Sequence, residues 1–189
     1  TESDAREQLE SNLEEVQRLE RLSANLLALH QYGQITLTRS PLTIKDAVDS
    51  ALMPFRAAAA IKGVEIEVSV QSGRVVGHQD SLVQLLDILL DNALKYGARG
   101  GHIAVHGHKK GSQYLLSVKD KGPGIATHDL PRIFDRLYRG DKARSNQVAG
   151  YGLGLALAKE IAEVNGAGIA VRNNPDGGAC FELILELAV

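Results

Sequence analysis

Two glycine clusters enclose a basic loop between residues 120 and 155, and no other stretch limits the fold so sharply. The first, Asp120-Lys121-Gly122-Pro123-Gly124-Ile125, follows a β-like run. The second, Gly150-Tyr151-Gly152-Leu153-Gly154-Leu155, stands at the head of an apolar-periodic helix. Between them lie five basic side chains: Arg132, Arg136, Arg139, Lys142 and Arg144. Glycine lets a backbone approach a ligand closely, and a helix N-terminus offers unpaired N–H groups to an anion. The pattern predicts a phosphate-bearing ligand under a basic lid, with the polar, glycine-flanked loop 139–149 mobile when no ligand is bound.

The 189 residues suffice for one sizeable core with an accessory element. A net charge of −2 excludes a dominant nucleic-acid footprint, so phosphate binding must be local. The single cysteine, Cys180, rules out an intrachain disulfide and suits a cytoplasmic setting. No apolar run approaches the ~20 residues of a membrane span, so no membrane contact is expected from this stretch. Thr1 stands inside a charged helical pattern, as in a piece of a longer parent that can carry its own anchor in the inner membrane.

Residues 3–32 predict one long amphipathic helix, with Leu9, Leu13, Val16, Leu19, Leu22, Leu26 and Leu29 three or four apart among Glu, Arg and Gln. Such a helix is on the order of 40 Å long. That is too long for a small domain to cover, so the spacing predicts a hairpin, coiled coil or dimer. Residues 35–37 have the character of a short edge strand, and 40–42 of a linker. Thr43 then caps a second helix, with Asp46 at the capping-box position and Ile44, Ala47, Val48, Ala51, Leu52 and Phe55 on its buried side. The alternation of residues 64–70 predicts a half-buried strand. After it come a short strand at 74–76, an apolar helix over 80–96 and two strands around Lys110-Gly111. A helix over 153–164 and strands at 169–171 and 181–187 complete the chain. The order predicts an α+β fold, a two-layer α/β sandwich of mixed sheet packed under helices and preceded by the long helix.

In the apolar helix, Asp91-Asn92-Ala93-Leu94-Lys95-Tyr96 places Asn92 and Lys95 three apart on one face, where both can meet one ligand. An asparagine amide supplies an oxygen to a hard cation such as Mg2+, and a lysine neutralises phosphate. Taken alone, Asn92 is more often a solvated helix residue. Asp120 can accept a hydrogen bond from an exocyclic amine, or serve simply as a turn residue. Gly150-x-Gly-x-Gly is a weak signal alone. Only the combined order is specific.

That order resembles the catalytic, ATP-binding part of the two-component sensor histidine kinases, a branch of the fold shared with DNA gyrase, heat-shock chaperone and mismatch-repair ATPases. Asp91-Asn92-Ala93-Leu94-Lys95-Tyr96 is similar to the family's N box, and Asp120-Lys121-Gly122-Pro123-Gly124 to its first glycine box. Phe134-Asp135-Arg136-Leu137-Tyr138-Arg139 is similar to its F box, and Gly150-Tyr151-Gly152-Leu153-Gly154-Leu155 to its second glycine box. Gly177-Gly178-Ala179-Cys180-Phe181 resembles the terminal glycine turn. Residues 3–33 resemble the second helix of the preceding dimerisation hairpin. The resemblance implies residues 1–33 as part of that hairpin, 34–42 as linker and 43–189 as catalytic domain.

It also implies ATP and Mg2+ as cofactors. Asn92 would bind the Mg2+ that bridges the phosphates, Lys95 would contact phosphate, and Tyr96 would border the nucleotide. Asp120 would accept the adenine amino group, with Gly122 and Gly124 keeping the backbone close and Ile125 packing on adenine. Gly150, Gly152, Leu153 and Gly154 would shape the lid's return, backbone N–H groups towards the phosphates. Lys95, Arg136 and Arg139 are the implied catalytic residues, and either arginine can reach the γ-phosphate. The implied partners are the missing phosphoacceptor helix of the same protein, a second copy in a homodimer, and a response regulator whose receiver-domain aspartate takes the phosphoryl group.

Departures from the family pattern carry information too. The related ATPases have a water-activating glutamate at position 88; Ile88 has no proton chemistry, which disfavours hydrolysis by that route. His78 stands where an acidic helix start is common, Leu137 replaces the second aromatic of the F box, and Ala179 a common threonine. Neither His30 nor His128 has the acceptor's proline five positions on, so nucleotide binding without autophosphorylation is expected of this chain alone. His102, His106 and His108 share a strand face, which suggests a metal site, but with Ile103 and Val105 facing the core they are expected to face solvent. Two alternatives stand beside the kinase: an ATPase or protein serine kinase of the same fold, and a non-catalytic, nucleotide-dependent interaction module.

Overall fold

The computed structural model describes residues 2–35, 37–140 and 151–188. Helix α1 (Glu2–Tyr32) is continuous over 31 residues. Most of its apolar stripe is uncovered, with Leu9, Leu13, Val16, Leu19 and Leu26 all at least 50% exposed. Only its end docks. There Leu29 is buried, Leu22, Ala28 and Tyr32 pack against the core, and the Tyr32 hydroxyl donates to Gln84 Oε1 at 2.7 Å. So regular an exposed stripe fits a helix whose partner is another helix.

The chain re-enters the body through β1 (Ser40–Thr43), where the sequence suggested a linker, and forms no strand among the described residues of 35–37. β1 pairs antiparallel with β3 (Arg74–Gly77), Pro41 lying opposite Val76. Proline cannot donate to a ladder, which an edge strand such as β1 tolerates, and burial of Leu42 holds the strand to the core. Helix α2 (Ile44–Ile61) starts without the expected capping box. Thr43 makes no side-chain cap bond; the Ile44 N–H donates to Gly73 O at 3.1 Å instead. Ile44, Ala47, Val48, Ala51 and Leu52 are buried, as their spacing predicts.

The main sheet contains β2 (Glu65–Val70), β4 (His102–Lys110), β5 (Gln113–Asp120), β7 (Ala179–Glu186) and β6 (Gly168–Asn173), in that spatial order. β2 and β4 run parallel and the other pairs antiparallel. Helices α2, α3 (Gln79–Tyr96) and α4 (Gly154–Val164) pack on one face. Alternate residues supply the core on that side: Ile103 and Val105 from β4, Leu116 and Val118 from β5, Leu183 and Leu185 from β7. They meet Leu85 and Leu89 of α3 and Leu157 and Ile161 of α4, all buried. On the edge strand β2, Ile66 and Val70 are half-buried, while Val68 is 38% exposed.

Asn165, 1% exposed at the end of α4, ties the far ends of α3 and α4 together. Its Oδ1 accepts the His78 N–H at 2.8 Å, and its Nδ2 donates to Ser81 Oγ and Ile161 O, each at 2.8 Å. Its own carbonyl accepts from Arg39 at 3.2 Å. His78, the unusual helix start, is the N-cap of α3, its Nδ1 accepting from the Ser81 N–H. Asn165→Ala would strip partners from three groups at this junction, and a buried polar group left unpaired costs about 1–3 kcal/mol. Urea unfolding is expected to show a loss of about 3 kcal/mol; a loss well under about 1 kcal/mol would mean that water replaces the amide without penalty.

Candidate functional site

The end of α3 and the end of β5 meet around Asp120. Its side chain lies in a residue only 7% exposed, and its Oδ1 accepts the Gly122 N–H at 2.8 Å. Burial pushes its pKa up, while the N–H groups of Gly122 and Ala179 pull the other way. No ion pair joins it to a cation among the described residues. A desolvated carboxylate in that condition suits a neutral N–H donor.

Three glycines make its space. A Cβ on Gly97 would lie 2.4 Å from Asp120 Cβ, one on Gly122 2.9 Å from its Oδ1, and one on Gly178 1.9 Å from its backbone oxygen. Gly97 is also the stop of α3 directly after Tyr96, so the helix end and the carboxylate's room are a single requirement.

Two asparagines that the sequence did not single out clamp the first glycine turn. Asn173 Oδ1 accepts the Ile125 N–H at 2.8 Å, and Asn173 Nδ2 donates to Ile125 O at 2.7 Å. Asn174 Nδ2 donates to Asp120 O at 3.2 Å and to Ala179 O at 3.1 Å. Gly124, at φ 67°, passes so close that a Cβ would lie 2.9 Å from Asn173 Oδ1. The one sequence signal was an Asn-Asn pair before Pro-Asp-Gly-Gly, which reads equally well as turn chemistry.

Along α3, Asn92 Nδ2 and Asp87 Oδ1 are buried with no hydrogen-bond partner among the described residues, and burial pushes the Asp87 pKa up. The Asn92 amide is therefore uncommitted, and its oxygen is a neutral hard donor of the kind Mg2+ accepts. The residue fits that ion. Lys95 is paired with Asp91 one turn earlier, and its ammonium must share or leave that carboxylate to meet a phosphate.

The two candidate arginines are separated. Arg136 pairs with Glu160 of α4 at 2.9 Å. Arg139 lies close enough to Tyr96 for its charge to oppose the upward pKa shift that burial gives the phenol. Tyr96 itself is 38% exposed beside it.

Gly152, at φ 71°, supports the F-box segment: a Cβ there would lie 2.4 Å from Tyr138 O, and its carbonyl accepts the Leu137 N–H at 2.9 Å. Leu153, at 2% exposed, sends its side chain into the core, so it is its backbone that is left to face a ligand. Gly154 opens α4 with no side-chain cap at Leu153, and a Cβ on it would sit 3.5 Å from Ile88 Cγ2. Gly150, Lys142 and Arg144 lie outside the described residues, as does most of the loop 139–149.

The strand histidines are not simply solvated. His102 Nε2 and His106 Nε2 address the two oxygens of Glu67 on β2, at 3.3 and 3.1 Å. Their hydrogen bonds and charge, that of His106 first, hold the Glu67 pKa down against its slight desolvation. No group of three potential metal ligands occurs among the described residues.

Residues 77–189 match the family model for the histidine kinase-, DNA gyrase B-, and HSP90-like ATPases. The chain is 34% identical over 183 residues to the sensor-like histidine kinase SenX3 of Mycobacterium tuberculosis (strain H37Rv), covering 95% of this chain and 45% of that protein. It is 35% identical over 180 residues to the sensor histidine kinase YkoH of Bacillus subtilis (strain 168), covering 94% of this chain and 38% of the relative. Its fold matches the solved structure of the mycobacterial sensor histidine kinase MprB with a TM-score of 0.70 and 26% identity, over 79% of this chain and 98% of that one. The chain thus spans less than half the length of these two curated relatives.

Proposed function

This chain belongs to the histidine kinase-, DNA gyrase B- and HSP90-like ATPase family, as the catalytic, ATP-binding domain of a sensor histidine kinase, and we propose that it binds ATP with Mg2+ for γ-phosphoryl transfer to a histidine of its parent protein. The observation that carries this reading is Asp120, a buried carboxylate walled by glycines, which suits the adenine amino group. Gly122 and Gly124 keep the turn close to the base, and Ile125 packs on it. Asn92 would hold Mg2+, which when bound neutralises phosphate charge. Phosphoryl transfer depends mainly on positioning and charge neutralisation. Lys95, shared with Asp91, and Arg139, beside Tyr96, supply cations there, and the uncapped start of α4 supplies N–H groups.

The uncovered stripe of α1 supports the dimerisation role of that helix. The acceptor histidine would lie on a helix packed against it, in a homodimer, and the phosphoryl group would pass to the receiver domain of a response regulator. No helix among the described residues is long and apolar enough to cross a membrane, and the domain would act on the cytoplasmic side of a parent that carries any inner-membrane anchor itself. The ATPase alternative is less well supported, because Ile88 puts an apolar group against the start of α4 where a water-activating base would be needed.

Calorimetric titration with a non-hydrolysable ATP analogue and Mg2+ tests the site across pH. Binding uses the ionised Asp120 carboxylate, so affinity is expected to fall as pH drops through its raised pKa, and this dependence should vanish in Asp120→Asn. Folding responds with the opposite sign. A carboxyl raised above its ordinary 3.8 contributes stability that is complete below that value and lost as pH rises through the folded pKa. Acid therefore weakens binding while this group favours the fold. No saturable binding at neutral pH, or wild-type binding with the same pH profile as Asp120→Asn, would overturn the assignment.

A further inference from the structure

Asp129 is a carboxylate 5% exposed that the proposed chemistry does not use. Burying a carboxylate is costly unless it is paired and hydrogen-bonded. Its partners lie on either side of Arg139. The Tyr138 hydroxyl donates to Asp129 Oδ1 at 2.6 Å, where His128 Nε2 also approaches, at 3.4 Å. Gly140 packs so tightly beneath the other oxygen that a Cβ would lie 2.4 Å from Oδ2. The Tyr138 ring is covered by the Arg132 guanidinium, 4.4 Å from its centroid, and Arg132 is itself held by Asp135 at 3.4 Å. The Tyr138 carbonyl rests on Gly152. Residues 138 and 140, the two neighbours of Arg139, are therefore gripped by one side chain, which fixes the backbone that carries the arginine. Arg139 itself lies close enough to Tyr96, at the end of α3, for its charge to act on the phenol.

We infer that Asp129, through Tyr138 and Gly140, is a positioning residue that aims Arg139 at the terminal phosphate and so sets the preference for ATP over ADP. The inference rests on the nucleotide-binding reading above. Leu137, at φ 63° and with its N–H on Gly152 O, marks where the chain bends to bring Tyr138 onto the carboxylate.

The test is the ratio of ATP to ADP affinity, each measured with Mg2+ on the full chain. Arg139→Ala is expected to cut the ratio about tenfold, the loss typical of a hydrogen bond to a charged group. Tyr138→Phe, which removes one oxygen, should bring the ratio close to that of Arg139→Ala, and the double variant should lower it no further. Asp129→Ala should act like Tyr138→Phe, whereas Asp129→Asn should retain most of the ratio because an amide oxygen still accepts the hydroxyl. A merely structural role would weaken ATP and ADP together and leave the ratio unchanged. Should Asp129→Ala fail to fold, Tyr138→Phe decides. A wild-type ratio in Tyr138→Phe, with Arg139→Ala reduced, overturns the positioning role alone. A wild-type ratio in Arg139→Ala overturns it too, since the arginine then has nothing to be aimed at. Absence of nucleotide binding in the unaltered chain would instead remove the proposed function.

Discussion

Asp120→Asn is expected to lower ATP affinity about thirtyfold, the equivalent of about 2 kcal/mol for a hydrogen bond to a charged group, without loss of thermal stability. The two effects part because the carboxylate's burial serves the ligand and not the fold. Desolvation raises its pKa, so at neutral pH the folded protein bears the cost of an ionised group that would be better hydrated in the unfolded chain. Asparagine relieves that cost and keeps an oxygen for the Gly122 N–H, but a carboxylate no longer faces the adenine amine. Titration calorimetry and a thermal melt on the same sample check the pair. Unchanged affinity, or an affinity loss matched by a large drop in Tm, would mean that Asp120 is a structural turn residue.

Gly178→Ala is expected to destabilise the protein by about 3 kcal/mol or more, from left-handed backbone and overpacking together. The glycine sits at φ 84°, and a Cβ would lie 1.9 Å from Asp120 O. That oxygen is backbone and is fixed by Asn174, so it cannot swing aside as a side chain would. Gly63 is the control. It has φ 65° with nothing within 4 Å of an added methyl, so alanine there should cost only the backbone term, about 1–2 kcal/mol. Urea unfolding of both variants isolates the contact. Equal losses would show that the approach to Asp120 is relieved by small shifts. A greater loss at Gly178, accompanied by weaker ATP binding, would show that the terminal glycine turn sets the height of the carboxylate.

The helices were readable because the pattern that forms them is local. The stripe through Leu85, Leu86, Leu89 and Leu90 with Gly97 behind it specifies α3 almost to the residue, and the leucines of α1 specify a helix of matching length. β1 was missed for the opposite reason. Ser-Pro-Leu-Thr has little strand character, and it is extended because Leu42 enters the core and β3 lies alongside. The Thr43 capping box failed similarly: the Ile44 N–H found Gly73, 29 residues away, rather than the side chain beside it. For the histidines, alternation placed them correctly on one strand face, but the partner that engages them, Glu67, sits on β2 and enters only through the parallel pairing of β2 with β4.

The residue types of the site and their order are legible in the chain alone: an asparagine and a lysine on a helix, an aspartate at a glycine turn, arginines in a loop, and glycines at the next helix start. Those choices follow from chemistry that each short motif carries within a few residues. Which of them work together was settled by packing. It put Arg136 on Glu160 and Arg139 near Tyr96; it buried the Leu153 side chain and placed Asn173 and Asn174 beneath the first glycine turn. These are contacts between segments tens of residues apart. They are fixed by how the sheet and helices pack around one core, and no local pattern of spacing or propensity carries that packing.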